Sequence, residues 1–182
     1  MIYVFLANGF EEVEALTPVD LLRRAERQVQ LVGVGGKTIT GSHGIKVECD
    51  ITANEIVLGG DLEMIVLPGG MPGTLNLEKS EAVQTAVDFC YDRGIFIGAI
   101  CAAPSILGHK GLLNGRNAIA YPGFEGQLAG ATICEHSVVQ DDFIITAQGA
   151  GAAVPFGLKL AEVLCGADKP RALAASICYP EH

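Results

Sequence analysis

Cys101 is the residue of this sequence whose position most favours chemistry. It follows the apolar run of residues 95–100 directly, and Ala102-Ala103-Pro104 after it is typical of the start of a helix. The free N–H groups and the dipole of a helix N-terminus can lower the pKa of a cysteine from about 8.5 to about 3.5–7.5. A sharp strand-to-helix turn also lifts its side chain into a crevice, as in a nucleophile elbow. The pattern favours a reactive thiol, and a small buried apolar side chain is the alternative.

The segment Pro68-Gly69-Gly70 is a second candidate, because it ends the apolar run of residues 64–67. Glycines after a strand leave backbone N–H groups free to point into a crevice, as an oxyanion hole requires. Taken alone, the segment reads as a tight turn. The functional interpretation gains weight if Cys101 ends a neighbouring strand.

Three acids, Glu11, Glu12 and Glu14, begin the first predicted helix. Compensation of the helix dipole is the common role of acids at that place. An acid buried beside a thiolate would instead stay protonated, and could donate a hydrogen bond to sulfur or act as a general acid–base. The spacing does not say which of the three acids would do so.

The histidines offer Cys101 no obvious partner. His43 lies in a predicted hairpin turn, and the position of His136 is open. His109 is about 12 Å beyond Cys101 if the helix between them continues, at 1.5 Å rise per residue. This distribution disfavours a Cys–His hydrolase.

No motif for a cofactor or a metal is present. The loop at residues 33–38 has Leu31 where a Walker A loop requires its first glycine, so a hairpin turn explains the loop better. The six cysteines are scattered without metal-type spacing. Three of them, Cys90, Cys165 and Cys178, lie in predicted helices and are expected in the core. The sequence predicts neither a cofactor nor a metal.

The elements that would position these residues alternate between apolar strands and helices. Strands are expected at 2–7, 30–33, 64–67, 95–100, 118–120, 131–133 and 143–146, a hairpin at 38–41 and 45–49, and helices at 11–27, 80–93, 152–164 and 169–178. Pro18 predicts a kink in the first helix, or a start near Thr17. The alternation predicts an α/β fold, a doubly wound, mostly parallel sheet with helices on both faces, as a single domain over residues 1–182. Ligands of such folds bind at the carboxyl ends of the strands.

Composition limits the partners. The chain has 182 residues and a net charge of −9, which disfavours nucleic acids and membrane surfaces as main partners. Its start lacks the basic region of a secretory signal, and its longest apolar stretch is shorter than a membrane-spanning helix requires. We therefore expect a cytoplasmic protein whose thiols are reduced.

The sequence resembles the ThiJ/PfpI superfamily, and most closely the branch that includes a Parkinson-disease-associated protein. The resemblance spans residues 2–166 and is carried by the segments at 7–14, 18–20, 66–70, 99–104 and 149–151. It implies a flavodoxin-like fold, a homodimer and a reactive elbow cysteine, Cys101. It further implies that Glu14 hydrogen-bonds this cysteine and that Gly70 and Ala102 supply oxyanion-type backbone donors.

Three departures from the family pattern bear on activity. Ala102 follows the cysteine where peptidase-like members have histidine, which disfavours a protease. Tyr121-Pro122 stands where the glyoxalase-type branch often has His-Pro; Tyr121 could contact a substrate oxygen, but it is a poorer base than histidine at neutral pH. Gln148 replaces a frequent arginine, which weakens anion binding there.

The sequence and the resemblance together favour a cysteine-dependent enzyme acting on small reactive carbonyls, as a glutathione-independent glyoxalase or a deglycase-like protein. The alternative is a non-catalytic redox sensor or stress-response chaperone in which oxidation of Cys101 is the output. A small-molecule amidase or peptidase is a distant third.

Overall fold

The computed structural model describes residues 1–180. A central sheet with helices on both faces gives the fold three layers. In chain order the strands are β1 (Ile2–Ala7), β2 (Val29–Val34), β3 (Thr38–Thr40), β4 (Lys46–Glu48), β5 (Ile51–Thr52), β6 (Met64–Leu67), β7 (Phe96–Ile100), β8 (Asn117–Ala118), β9 (Thr132–Ile133), β10 (Val138–Asp141) and β11 (Ile144–Ala147). The helices are α1 (Glu12–Arg24), α2 (Gly73–Glu78), α3 (Glu81–Arg93), α4 (Pro104–His109), α5 (Ala153–Cys165) and α6 (Asp168–Ser176).

The central sheet has seven strands in the order β10-β11-β7-β6-β1-β2-β5. All neighbouring pairs are parallel except β10 with β11, which is antiparallel at one edge. The chain adds strands on one side of β1 first and then returns to add β6 on the other side. The carboxyl ends of β1 and β6 therefore flank the switch point in strand order, where this class of fold binds ligands.

Strand β1 is buried on both faces, as its continuous apolar run predicts. Ile2, Val4 and Leu6 join the apolar cluster that also contains residues of α1 and α5. The alternate side chains Tyr3 and Phe5 join the second cluster, with residues of α3 and α4. Side chains of a strand point alternately to the two faces, so a sheet covered on both faces needs apolar residues at every position.

Helix α1 packs against α5. A Cβ atom at Gly157 of α5 would stand 2.7 Å from Leu21 Cδ1 and 3.1 Å from the Cα of Pro18. Glycine at this crossing lets the two backbones approach, and the contact fixes α1 and the acids at its start. The helix begins at Glu12 and runs through Pro18 to Arg24, so the predicted start near Thr17 is wrong.

The predicted fold class is confirmed, with local differences. Residues 118–120 and 131–133 were expected as strands; β8 and β9 pair with each other, outside the central sheet. The sequence does not predict β5, β10 or α2, which are short and lack a clear period. Cys178 is exposed and lies beyond the end of α6, so its prediction as a core residue is wrong. Within residues 1–180, no helix has the length and apolar character needed to cross a membrane.

Candidate active site

Cys101 stands on a sharp turn at the end of β7. Its φ is +64°, a left-handed conformation that is uncommon for a residue other than glycine. The turn is held on both sides: the Cys101 N–H donates to the Ala147 carbonyl at 2.9 Å, and the Tyr121 N–H donates to the Cys101 carbonyl at 2.8 Å. The prediction that Cys101 opens a helix is wrong in detail, because α4 begins only at Pro104. An observed strained residue of this kind is a reason to suspect function.

Glu14 is the acid of α1 that meets Cys101. It is buried, with 1% of its surface exposed, and it is hydrogen-bonded to the Cys101 thiol. Its Oε2 also accepts a 3.0 Å hydrogen bond from the Gly69 N–H at the end of β6. A Cβ atom at Gly69 would lie 2.6 Å from both Cys101 Cβ and Glu14 Oε2, so the missing side chain of this residue makes the space that the pair occupies.

Burial raises the pKa of both members of this pair. It raises the pKa of Glu14 to about 7, although the Cys101 thiol and the Gly69 N–H both donate to the carboxylate and oppose the rise. Burial, with the negative charge of Glu14 and the hydrogen bond to it, raises the pKa of Cys101 to about 12. The thiol was expected to have a lowered pKa; it does not, because it is desolvated beside a carboxylate and precedes the helix. Between these two pKa values the pair holds one proton.

Gly70 and Ala102 bring backbone N–H groups to the sulfur. Both donate toward Cys101 Sγ and favour its charged form, against the effect of burial. Gly70 has a φ of +87°, and a Cβ atom there would lie 2.3 Å from the Glu11 nitrogen, so this turn admits only glycine. The two N–H groups therefore stabilise negative charge on the Cys101 sulfur.

Tyr121 lies beside the pair, in the loop after β8. Its side chain is half exposed, and its ring packs against Gly149. A cavity of about 510 Å³ opens next to it. The cavity is lined by Tyr121, Pro122, Ser137, Gln148, Gly149, Ala150, Gly151 and Ala152. Among the described residues, no charged side chain lines this cavity. Gln148 lines it with a neutral amide where other family members often have the cationic side chain of arginine.

The other two acids of α1 serve the β3–β4 hairpin. Glu12 is buried, and its carboxylate accepts hydrogen bonds from the His43 N–H at 2.9 Å and the Ile45 N–H at 3.3 Å. Burial would raise the pKa of Glu12, but these bonds, its own backbone N–H and the His43 ring outweigh burial and lower the pKa to about 2. Ligand atoms of Glu11, Glu12 and His43 lie within 4.8 Å of one another. Because N–H groups of the hairpin already donate to the Glu12 carboxylate, we interpret the cluster of Glu11, Glu12 and His43 as a structural contact and not as a metal site.

None of the three described histidines is among the groups that act on the pKa of Cys101. His43 hydrogen-bonds Glu12, and His109 hydrogen-bonds Glu78. His136 is exposed, and His182 lies outside the described residues. Among residues 1–180, the groups that act on the pKa of Cys101 are Glu14 and the N–H groups of Gly70 and Ala102.

Gly69 and Gly149 have roles in the site that their sequence patterns do not specify. The sequence predicts backbone donors in Pro68-Gly69-Gly70; in the structure the Gly69 N–H donates to Glu14, and its missing side chain makes room for the Cys101–Glu14 pair. Gly149 was noticed as part of a family motif, but it lies between Tyr121 and Glu14. The available signal in both cases is a glycine two residues after a buried strand, and this signal does not say which atoms approach.

The fold and the site together define an α/β protein with a half-buried elbow cysteine paired to a buried carboxyl group at a switch point in strand order. A model of the DJ-1/PfpI family matches residues 1–163. The chain belongs to this family, and the ThiJ/PfpI resemblance is confirmed.

The chain is similar to several named relatives. Protein dj-1beta of Drosophila melanogaster is 33% identical over 96% of this chain and 94% of its own length. The glutathione-independent glyoxalase DJ-1 of Schizosaccharomyces pombe is 30% identical over 97% of both chains. Among solved structures, oxidized Toxoplasma gondii DJ-1 superimposes with a TM-score of 0.91 at 33% identity, covering 99% of this chain and 98% of that chain.

Proposed function

We propose that this protein converts small α-oxoaldehydes such as methylglyoxal into 2-hydroxy acids without glutathione. The observation that carries the proposal is the Cys101–Glu14 pair, in which a nucleophile and a carboxyl group with a pKa of about 7 meet beside two backbone donors. A carboxyl group with this pKa can accept and return protons near neutral pH. The name of the Schizosaccharomyces pombe relative supports the same activity.

The first step forms a hemithioacetal. The Cys101 sulfur adds to the aldehyde carbon while Glu14 takes the thiol proton and passes it to the aldehyde oxygen. The N–H groups of Gly70 and Ala102 stabilise the negative charge that develops in this step. Transfer of the thiol proton to Glu14 generates the nucleophilic thiolate, because the pKa of the buried Cys101 thiol is about 12.

The second step moves a hydrogen from one carbon to its neighbour. Glu14 removes the proton from the carbon bound to sulfur, and the electron pair moves toward the neighbouring ketone. The proton returns to that neighbouring carbon, and the hydroxyl proton of the hemithioacetal moves to the former ketone oxygen. The product is a thioester of a 2-hydroxy acid on Cys101. Water then cleaves the C–S bond, which releases the acid and restores the thiol. One carbon is oxidised and the other reduced, so no external oxidant is needed.

The test measures lactate formed from methylglyoxal without glutathione. The wild-type protein and Cys178→Ala should form lactate, and Cys101→Ala should not. Cys178 is the matched control because it is an exposed cysteine beyond α6. Lactate formation that survives Cys101→Ala, or none in the wild-type protein, would refute the proposal.

A redox sensor or chaperone whose output is oxidation of Cys101 is the second candidate. The oxidized Toxoplasma gondii relative favours it, as do the two N–H groups that could hold a sulfinate. The high pKa of Cys101 opposes it, because the thiolate is the form that peroxide attacks. Mass spectrometry after mild peroxide decides: a sensor oxidises at Cys101 first, whereas even oxidation of all six cysteines excludes one.

We further propose that the protein is a cytoplasmic homodimer. Its six cysteines are free in the structure, which suits a reducing compartment. Exposed apolar side chains at Val13 and Ile45 lie on α1 and the hairpin, and a second copy would bury them. Light scattering of the purified protein tests the dimer, and cell fractionation tests the compartment.

A further inference from the structure

Tyr121 lines the cavity beside the reacting pair, and its N–H donates to the Cys101 carbonyl. The cavity holds about 510 Å³, enough for a group much larger than the methyl of methylglyoxal. Within residues 1–180, Tyr121 and Gly149 are among the residues that line the cavity, whereas Cys101 and Glu14 are not. The cavity therefore adjoins the site through Gly149 without including the reacting pair.

Gly149 determines where that ring can stand. A Cβ atom on Gly149 would lie 3.2 Å from Tyr121 Cδ2 and 3.9 Å from Glu14 Oε1, so the aromatic ring and the carboxyl group both border this residue. The φ of Gly149 is 166°, an extended conformation that any residue adopts. A side chain here would make the ring give way by a few tenths of an ångström, whereas the backbone sets no requirement for glycine.

We propose that Tyr121 determines substrate size and that Gly149 is its positioning residue. The ring closes the passage from the Cys101–Glu14 pair to the cavity, and the site accepts α-oxoaldehydes whose second substituent is hydrogen or methyl. Removing the ring joins the cavity to the pair, and a phenyl substituent then finds room. This inference rests on the proposed function for its substrate. The partition, by which we mean the closure of the passage by the Tyr121 ring, is a property of the walls of the site.

Turnover of two substrates tests the partition. The ratio of kcat/KM for phenylglyoxal to kcat/KM for methylglyoxal should rise about 10-fold or more in Tyr121→Ala. Tyr121→Phe keeps the ring and should keep the ratio, which separates the size of the side chain from its hydroxyl group. Tyr121 is half exposed, so its truncation leaves the core intact.

Gly149→Ala tests the positioning role. The added methyl must displace the ring, and the ratio should shift several-fold in the Tyr121 background but not in the Tyr121→Ala background. Gly126→Ala is the matched control: this glycine lies in the same loop as Tyr121, has an ordinary φ, and a Cβ atom there meets nothing within 4 Å. Its ratio should equal that of the wild-type protein.

Alkylation of Cys101 supplies a readout that needs no turnover. Mass spectrometry of the Cys101 peptide follows modification by N-phenylmaleimide and by the smaller iodoacetamide, and Tyr121→Ala should raise the bulky-to-small rate ratio about 10-fold. Absence of lactate with this rise intact would refute the proposed function and leave the partition standing. The partition is wrong if Tyr121→Ala leaves the alkylation ratio unchanged, if Tyr121→Phe shifts it equally, or if the Gly149→Ala effect survives without the ring.

Discussion

The backbone N–H of Gly69 donates a 3.0 Å hydrogen bond to Oε2 of Glu14, and this bond distinguishes the two oxygens of the carboxyl group. The carbonyl oxygen of a protonated carboxyl group is a better acceptor than its hydroxyl oxygen, so this bond favours Oε2 as the acceptor. When Glu14 is protonated, the proton is therefore favoured on Oε1, the oxygen near Gly149. Glu14 can thus exchange protons on the side where Tyr121 and the cavity lie.

The rate should rise with pH and level off above pH 7. Glu14 accepts the thiol proton only as a carboxylate, and burial raises its pKa to about 7. Below pH 7, kcat/KM for methylglyoxal should fall by about tenfold per pH unit. Initial rates of lactate formation from pH 5 to 9 check this, and a flat profile or a fall above pH 7 would exclude Glu14 as the base.

Glu14→Gln should abolish turnover while making the protein more stable at neutral pH. The pKa of Glu14 rises from 4.5 to about 7 on folding, so its ionisation weakens the folded state as pH rises from 4.5 through 7. The stability advantage of Glu14→Gln should grow over that interval to on the order of 3 kcal/mol and then stay constant.

Urea unfolding at pH 4.5, 6, 7 and 8 measures this advantage. Glu135→Gln, at an exposed loop carboxyl group, should track the wild-type protein throughout. An advantage of Glu14→Gln that is already complete at pH 4.5 would show that packing, and not ionisation, is responsible.

Gly69→Ala should separate the thiol from the carboxyl group. The new methyl would meet Cys101 Cβ and Glu14 Oε2 at 2.6 Å; the Cβ atom can retreat only with its backbone, and the carboxyl group only by leaving the Gly69 N–H. We expect a loss of stability of about 1–3 kcal/mol and a loss of activity of about 100-fold or more. Urea unfolding and methylglyoxal kinetics measure both; Gly126→Ala is again the control, and near-normal turnover in Gly69→Ala would contradict this geometry.

Glu12→Gln should weaken the docking of the hairpin on α1. The carboxylate accepts N–H groups of His43 and Ile45, and we expect a loss of about 1 kcal/mol at pH 7. The pKa of Glu12 is about 2 when folded against 4.5 when unfolded, so its contribution is present above pH 4.5 and disappears as pH falls toward 2. The urea midpoint of Glu12→Gln should approach that of the wild-type protein as pH falls. Glu48→Gln, at an exposed position, is the control and should match the wild-type midpoint at every pH. A difference in midpoint between Glu12→Gln and the wild-type protein that stays constant down to pH 3 would contradict this role.

The sequence predicts the fold well because β1 and β6 are apolar at every residue and α1, α3 and α5 each have 13 residues. Residues 64–67 match β6 to the residue, and the sheet follows from alternation of strand and helix. The two-residue strand β5 was missed because a pair of residues has no period. The lowered pKa expected for Cys101 did not appear, because desolvation and the approach of Glu14 depend on packing that spacing along the chain does not contain.

The left-handed turn at Cys101 has a consequence for the biosynthesis of the protein. The backbone N–H and carbonyl group of Cys101 are bound by Ala147 and Tyr121, both of which leave the ribosome after it. A growing chain that ends before β11 lacks the acceptor that holds the turn, although Glu14 and Gly69 have already been made. In such a nascent chain Cys101 is an ordinary cysteine, and its special environment is completed only when translation reaches the last strand of the sheet.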